Sequence, residues 1–381
     1  MLRTIGLMSG TSLDGVDAAW VETDGERIGR LGPRLTLPYD DALRRDLREL
    51  LDRANAAAAG NGLSPDDPLL AECARRLTLR HAEAVAAIGE EADLIGFHGQ
   101  TILHRPAQRY ASPPEHEADA RRRGGFTWQV GDAATLAELS GLPVAHDFRS
   151  ADVAAGGQGA PLVPVFHAAM AAELPKPLAV LNLGGVGNLT WIGEDGALVA
   201  FDTGPANGPL DDWARRHTGA ACDWDGALAA AGETHPAVLA RLLAHPYFTL
   251  RPPKSLDRLD FARALRDSGA ADLPPTDGAA TLVAFCAAVV AAALPHLPAP
   301  PREWLVAGGG RRNAAAMRAL SAALPQPVRP VEAVGWDGDA LEAQAFGLLA
   351  ARVARGLPLT FPGTTGAPRP LPGGRLIGRL D

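Results

Sequence analysis

Residues 2–8 form an apolar run, residues 10–15 are turn-rich, and residues 16–22 resume an extended pattern before the Asp24-Gly25 turn. Two extended runs around a short Gly-rich turn predict a hairpin. Apolar residues at helical spacing predict helices over 39–59 and 68–91, the second containing ECARRLTLRHAEAVAAI. A short strand over 94–97 leads into HGQT, and the polar, Pro-bearing stretch 106–125 reads as an exposed loop. The middle of the chain repeats the opening. LAVLNL at 178–183 is followed by a Gly-rich turn at 184–188, an extended piece at 189–192, and another at 197–201 that ends in DTGP. An apolar helix over 279–294, a strand over 303–307 ending in three glycines, and a helix over about 339–355 complete the pattern, with Gly356 and Pro358 as stop signals for the last. Two Gly-tipped hairpins far apart in the chain predict two related α/β lobes with a cleft between them.

Composition narrows the partners. At 381 residues the chain is long enough for two or three domains. With 47% hydrophobic and 21% charged residues, disorder is excluded as its main state. Thirty-six basic against 44 acidic residues give a net charge of −8 with no long basic run, which argues against a nucleic-acid partner. Cys73, Cys222 and Cys286 are scattered and form no CxxC pair, as expected of thiols in a reducing compartment. Gly10 to Asp14 break the N-terminal apolar run, so no signal peptide is expected. The 279–294 stretch is shorter than the ~20 residues a membrane span takes. A cytoplasmic protein without a membrane partner is the expectation.

Several segments could carry chemistry. In Gly10-Thr11-Ser12-Leu13-Asp14-Gly15, bare backbone amides and hydroxyls can approach an anion while Asp14 holds Mg²⁺ through water; an ordinary hairpin turn fits equally. No Walker loop is present. Lys176 and Lys254 are the only lysines, and neither is expected near a phosphate turn, so a metal would have to share in neutralising phosphate. Asn182 to Asn188 and Asp202-Thr203-Gly204-Pro205 are ambiguous in the same way. Gly308-Gly309-Gly310 would let a nucleoside lie against bare backbone, with Asn313 capping the next helix. His98, Gln100, His104 and Arg105 follow a strand end, where α/β proteins place ligands, and suit a polar substrate better than zinc. Asp152, just before Gly156-Gly157-Gln158-Gly159, is either a turn residue or a general base. Glu342 falls in the first turn of the last helix, where the helix dipole favours a carboxylate.

Eight blocks, in order, resemble the 1,6-anhydro-N-acetylmuramic acid kinases of the actin, Hsp70 and sugar-kinase superfamily. They are GLMSGTSLDGVD at 6–17, FHGQTILHRP at 97–106, HDFRSADVAAGGQGAPLVPVFH at 146–167, LNLGGVGNLT at 181–190, FDTGPAN at 201–207, PPKS at 252–255, VAGGGRRN at 306–313 and EAQAFGLLA at 342–350. The resemblance implies a two-lobed actin-like ATPase (ribonuclease H-like) fold of duplicated βββαβαβα lobes with an interlobe cleft. It places an N-terminal lobe at 1–150 and a C-terminal lobe at 151–381, the last helix docking back on the first. It implies an enzyme that opens the anhydro bridge of its sugar with water and phosphorylates the freed 6-oxygen from ATP, giving N-acetylmuramic acid 6-phosphate in peptidoglycan recycling, with a homodimer as the usual form. By motif, Gly10, Thr11, Ser12, Leu13, Asp14, Gly15, Val16 and Asp17 would embrace the ATP phosphates. Gly184, Gly185, Asn188, Asp202, Thr203 and Gly204 would form a second phosphate wall, with Asp14 and Asp202 placing Mg²⁺. Gly308, Gly309, Gly310 and Asn313 would border the adenosine. Asp152 would be the catalytic base, and His98, Gln100, Arg105 and Glu342 would contact the sugar. The chain departs from the family at Ala206, at Gly208-Pro209, after PPKS, and in an apparent insertion over 107–123.

Three other readings remain, one of them an ATPase or phosphatase without sugar transfer. A sugar or acid kinase of the same superfamily with another substrate would share the phosphate turns without needing a water-activating Asp152. An ATP-gated binding module would need a peptide-binding domain beyond the two lobes.

Overall fold

In chain order the strands are β1 Leu2–Ser9, β2 Gly15–Thr23, β3 Ile28–Pro38, β4 Leu94–Arg105, β5 Phe126–Val130, β6 Val144–His146, β7 Leu178–Leu183, β8 Val186–Ile192, β9 Leu198–Pro205, β10 Trp304–Ala307, β11 Val328–Pro330 and β12 Arg375–Ile377. The helices that matter below are α1 Asp41–Ala57, α2 Pro68–Ile88, α3 Ala133–Ser140, α4 Ser150–Ala154, α5 Asn207–Thr218, α6 Pro275–Ala291, α7 Ala314–Ala323, α8 Leu341–Ala354 and α9 Pro362–Thr365. This computed structural model describes residues 1–10, 12–57, 63–106, 125–256 and 261–380. The 107–123 stretch that looked like an insertion, and Thr11, lie outside the described residues.

These residues fall into two units, one running up to Ala172 and again from Ala340, the other spanning Glu173–Asp339. In the first, β1, β2 and β3 form an antiparallel meander, β4 runs parallel to β1, and β6 parallel to β4, in the order β3-β2-β1-β4-β6. Strand β5 adds antiparallel to β4, and β12 antiparallel to β6. The second unit repeats this plan strand for strand: β7, β8 and β9 are the meander, and β10 and β11 the parallel additions, in the order β9-β8-β7-β10-β11. The duplicated α/β reading therefore holds.

The first unit's core sets Ile5, Leu7, Val16 and Trp20 of the meander against Leu43 and Leu47 of α1 and Cys73 and Leu77 of α2. Its other sheet face takes α8. Gly6 of β1 and Gly96 of β4 let that helix lie directly on backbone: a Cβ at Gly6 would sit 1.8 Å from the Ala343 carbonyl oxygen, and one at Gly96 would sit 2.1 Å from that of Phe346. Backbone, unlike a flexible side chain, cannot step aside. Gly6→Ala is therefore expected to cost about 3 kcal/mol, the upper part of the usual overpacking range, read as a lower denaturant midpoint at unchanged m-value. An unchanged midpoint would mean that α8 is not seated on β1.

Three features differ from the sequence reading. The boundary expected after residue 150 falls at 172, so Asp152 belongs to the first unit, and the second unit stops at Asp339. Strand β4 runs on through His98, Gln100, His104 and Arg105, with a register shift near Gly99, whose φ of +71° bends it; those residues sit in a strand, not past its end. The apolar helical run extends over Pro275–His296, 22 residues, long and apolar enough by composition alone to cross a membrane. Here it is a core helix, its residues Cys286, Ala287 and Val290 packed with Leu181, Phe201 and Trp304.

Candidate functional site

At the first hairpin tip the chain turns between β1 and β2. Leu13 adopts φ +59°, a region that costs a residue with a Cβ about 1–2 kcal/mol, and its side chain is anchored in the core. Its N–H donates to the Gly10 carbonyl at 3.2 Å, and Tyr39 N–H donates to the Asp14 carbonyl at 3.1 Å. With Leu13 and Val16 facing inward, Ser12 and Asp14 are left exposed on the outer side of the turn. Asp17 accepts the Thr36 hydroxyl at 2.6 Å. Under the tip runs a buried polar chain: Tyr39 OH donates to Ser9 Oγ at 2.9 Å, and Ser9 Oγ meets His81 Nε2 at 3.0 Å. His81 Nδ1 lies 2.8 Å from the Leu77 carbonyl and must donate to it, so Nε2 is the acceptor. Burial pushes this histidine down to about 4.

The second tip, between β7 and β8, is more open. A Cβ at Gly185 would meet nothing within 4 Å. The start of α5 folds onto this turn, with Asn207 N–H donating to the Gly184 carbonyl at 2.9 Å and Gly208 N–H to that of Gly185 at 3.1 Å. Thr203 spends its hydroxyl proton on the Gly187 carbonyl at 3.1 Å. Asn188 keeps a buried Oδ1 that has no hydrogen-bond partner among the described residues.

Asp202 brings in a residue that the sequence reading placed elsewhere. Its N–H donates to the Lys254 carbonyl at 3.0 Å, and its Oδ2 accepts Leu256 N–H at 2.7 Å. Lys254 is buried, donates from Nζ to the Tyr247 carbonyl at 3.0 Å, and lies 4.4 Å from the Tyr247 ring centre. Tyr247 OH in turn donates to the Asp202 carbonyl. Burial pushes the lysine down to about 8, opposed by the charge of Asp202. The expectation that no lysine lies near a phosphate turn is thus corrected. The sequence held one signal, a Lys kept among 36 basic residues that are otherwise nearly all Arg.

The glycines after β10 serve packing first. A Cβ at Gly308, φ +74°, would strike Asn182 Oδ1 at 2.2 Å, and one at Gly310 would strike Leu183 Cβ at 2.6 Å; only at Gly309 is the nearest atom as far as 3.9 Å. Bare backbone for a nucleoside is therefore limited to Gly309. Asn313 caps α7, its Oδ1 accepting Ala316 N–H at 2.9 Å. Arg311, buried, fastens the turn by donating to the Gly308 carbonyl at 2.9 Å and pairing with Glu332 at 2.7 Å and Asp339 at 3.0 Å.

In the first unit, His98 has both ring nitrogens engaged: Nδ1 with the Gly99 carbonyl at 2.7 Å, and Nε2 accepting Arg149 Nε–H at 3.1 Å. Burial first, then the Arg149 charge, hold it well below the usual histidine range, so it is neutral. To grip a sugar hydroxyl it would have to give up one of these bonds; in this structure it orients Arg149, which also donates to the Gly159 carbonyl at 2.7 Å. His104 does likewise toward the Gln158 carbonyl at 2.9 Å. Gln100 is fully buried, with Oε1 unpartnered among the described residues. Arg105 is half-buried and pairs in register with Phe126, and Glu342 is exposed at the start of α8. His98, Trp128, His146, Asp147 and Ser150 help line a cavity of about 220 Å³.

Asp152 sits on α4 with 2% of its surface exposed. Oδ2 accepts Gly159 N–H at 2.6 Å, and Oδ1 accepts the Thr365 hydroxyl at 2.7 Å. Two donors, one to each oxygen, leave a second lone pair on each.

A duplicated sheet of order 3-2-1-4-5, each copy opening on a Gly-tipped meander, defines an α/β fold of the actin-like class. Within that class the chain belongs to the anhydro-N-acetylmuramic acid kinase family, whose model matches residues 2–377. It is 60% identical over 376 residues to the anhydro-N-acetylmuramic acid kinase of Acidiphilium cryptum, covering 99% of this chain and 98% of that one. It is 54% identical to the enzyme of that name from Rhodospirillum rubrum (97% and 92% covered) and 53% to that from Paramagnetospirillum magneticum (98% and 99%).

Proposed function

We propose that this chain opens 1,6-anhydro-N-acetylmuramic acid with water and transfers the γ-phosphoryl group of ATP to the 6-oxygen, a step of peptidoglycan recycling in the cytoplasm. The observation that carries the reading is Asp152, a buried carboxylate held through both oxygens in a chain of this kinase family. Water attacks the anomeric carbon and loses a proton to Asp152. The bond from that carbon to the 6-oxygen breaks, the 6-oxygen takes the phosphoryl group, and ADP leaves. A positioned base typically contributes 10²–10⁴-fold to such a step.

Gly10 to Asp17, Gly184, Gly185, Asn188, Asp202, Thr203, Gly204, Gly308 to Gly310 and Asn313 are the proposed ATP contacts. Val16, buried, can offer only backbone, and Thr203, whose hydroxyl proton is spent, can offer its backbone and the hydroxyl oxygen as an acceptor. Mg²⁺ fits the donor set. The carboxylates of Asp14 and Asp202 are hard oxygen donors, and no cluster of three or more acidic, His or Cys side chains occurs among the described residues. That pattern suits an ion that keeps its waters and leans on substrate phosphates. When bound it would neutralise charge on the transferring group, and Lys254 adds a fixed positive charge beside Asp202. For the sugar, Arg105 and Glu342 are the proposed direct contacts, while His98 acts through Arg149. A homodimer that binds neither nucleic acid nor membrane belongs to the same proposal; the net charge of −8 supports the nucleic-acid part.

The test is isotopic. Turnover in ¹⁸O-water should place the label on the anomeric hydroxyl of the product and none on phosphate, with ADP formed only when the anhydro sugar is present. Label in phosphate, or ADP formation indifferent to the sugar, would leave an ATPase or a kinase of another substrate.

A further inference from the structure

Asp152 and the Gly-rich loop after it are met by a segment from the far end of the chain. Helix α9 and Gly366 form a turn whose shape is fixed internally, since Thr364 Oγ1 donates to the Phe361 carbonyl and accepts Phe361 N–H, both at 3.1 Å. Thr364 is thereby occupied with its own turn. Thr365, next to it and fully buried, sends its hydroxyl to Asp152 Oδ1 and its carbonyl to Gln158 N–H at 2.7 Å. One residue thus holds both the carboxylate and the loop that holds the carboxylate's other oxygen. Gly157 closes the frame, because a Cβ there would lie 2.2 Å from Asp152 Oδ2.

We propose that Thr365 is a positioning residue for Asp152: its hydroxyl fixes the carboxylate's rotation, so that the remaining lone pairs face the attacking water. The inference rests on the reading of Asp152 as the base. A carboxylate on one α-helix can swing about two side-chain torsions. The Gly159 amide alone pins one oxygen and leaves the plane of the group to turn about it; a second donor on the other oxygen removes that freedom. The hydroxyl is a neutral donor, so it orients the carboxylate without forming an ion pair with it.

The experiment compares Thr365→Val, which keeps shape and loses the donor, with Thr365→Ser, which keeps the donor, and with Asp152→Asn. Hydrogen bonds to charged groups contribute about 1.5–3 kcal/mol, so Thr365→Val should lower kcat roughly ten- to a hundredfold with KM for both substrates within about twofold. Thr365→Ser should recover kcat to within about threefold of the parent, the loss being confined to packing of one methyl group. If Thr365→Val does not fold, Thr365→Ala is read by the same comparison of kcat with KM. Normal kcat in Thr365→Val beside an inactive Asp152→Asn overturns the positioning role and leaves the base in place. Equal losses in Thr365→Ser and Thr365→Val also overturn it, in favour of packing. Activity surviving in Asp152→Asn overturns instead the reading on which it rests.

Discussion

Asp152→Asn should lose 10²–10⁴-fold in kcat and lose bond opening and ADP formation together, while both substrates still bind. The substitution suits the site sterically and keeps a contact to each of its two neighbours. Gly159 N–H needs an acceptor, which the amide oxygen supplies, and the Thr365 hydroxyl can turn to accept from the amide nitrogen, since a hydroxyl both gives and takes a proton. The turned Thr365 hydroxyl strands its own buried proton, so the variant should fold with a melting temperature somewhat below that of the parent. What disappears is the ability to take a proton from water. Because the 6-oxygen leaves only as water arrives, and accepts phosphate only once it leaves, neither half-reaction should outlive the other. A variant that still opened the sugar without phosphorylating it, or made ADP without opening the sugar, would place the base elsewhere.

The second large effect is acid sensitivity of the fold. Burial holds His81 and His167 at about 4, against an ordinary value of 6.5, and holds His98 well below it as well. Below about pH 6.5 the unfolded chain protonates these rings while the folded chain keeps them neutral. The unfolded state then binds more protons, so stability falls as pH drops from about 6.5 toward 4. A tenfold change in proton affinity corresponds to about 1.4 kcal/mol, so His81 and His167 each withdraw on the order of 3 kcal/mol by the bottom of that window. That is a large share of the roughly 5–15 kcal/mol of a typical domain. Chemical unfolding at half-unit steps of pH should show the loss, with a slope of up to about three protons. His167→Leu should lower that slope by about one proton, since burial is the cause of its low value. Stability that stayed flat from pH 6.5 to about 4.5 would mean that these rings are hydrated.

Much of the fold could be read locally. Both hairpins announce themselves as apolar runs around Gly-rich tips, and the final helix by its stop signals. Strand β3 was missed for a physical reason. It is an edge strand, so Pro33 is tolerated there, and Gly32 is required because a Cβ would lie 2.7 Å from the Trp20 ring. Both residues look like loop punctuation until the ring above them is known. Strand β4 read as short because Gly99 looks like an end but is a bend. At the site, Asp152 stood out through its flanking glycines. Thr365 could not, since 213 residues separate it from its partner. Lys254 stayed hidden likewise, because its place beside Asp202 depends on how the segment after Tyr247 folds back onto β9.

The seating of α8 on Gly6 and Gly96 has a consequence for synthesis. Among the described residues the second unit is one continuous stretch, Glu173–Asp339, and can mature as it leaves the ribosome. The first cannot, because the helix that covers one face of its sheet is made only after the whole second unit. Domains are translated at about 5–20 residues per second, so the glycine-lined face of β1 and β4 waits roughly 10–40 seconds for its cover while its neighbour in the chain is already formed. A nascent chain stalled before Leu341 would carry a finished second unit beside an open sheet, a natural substrate for chaperones and a point of entry for proteases.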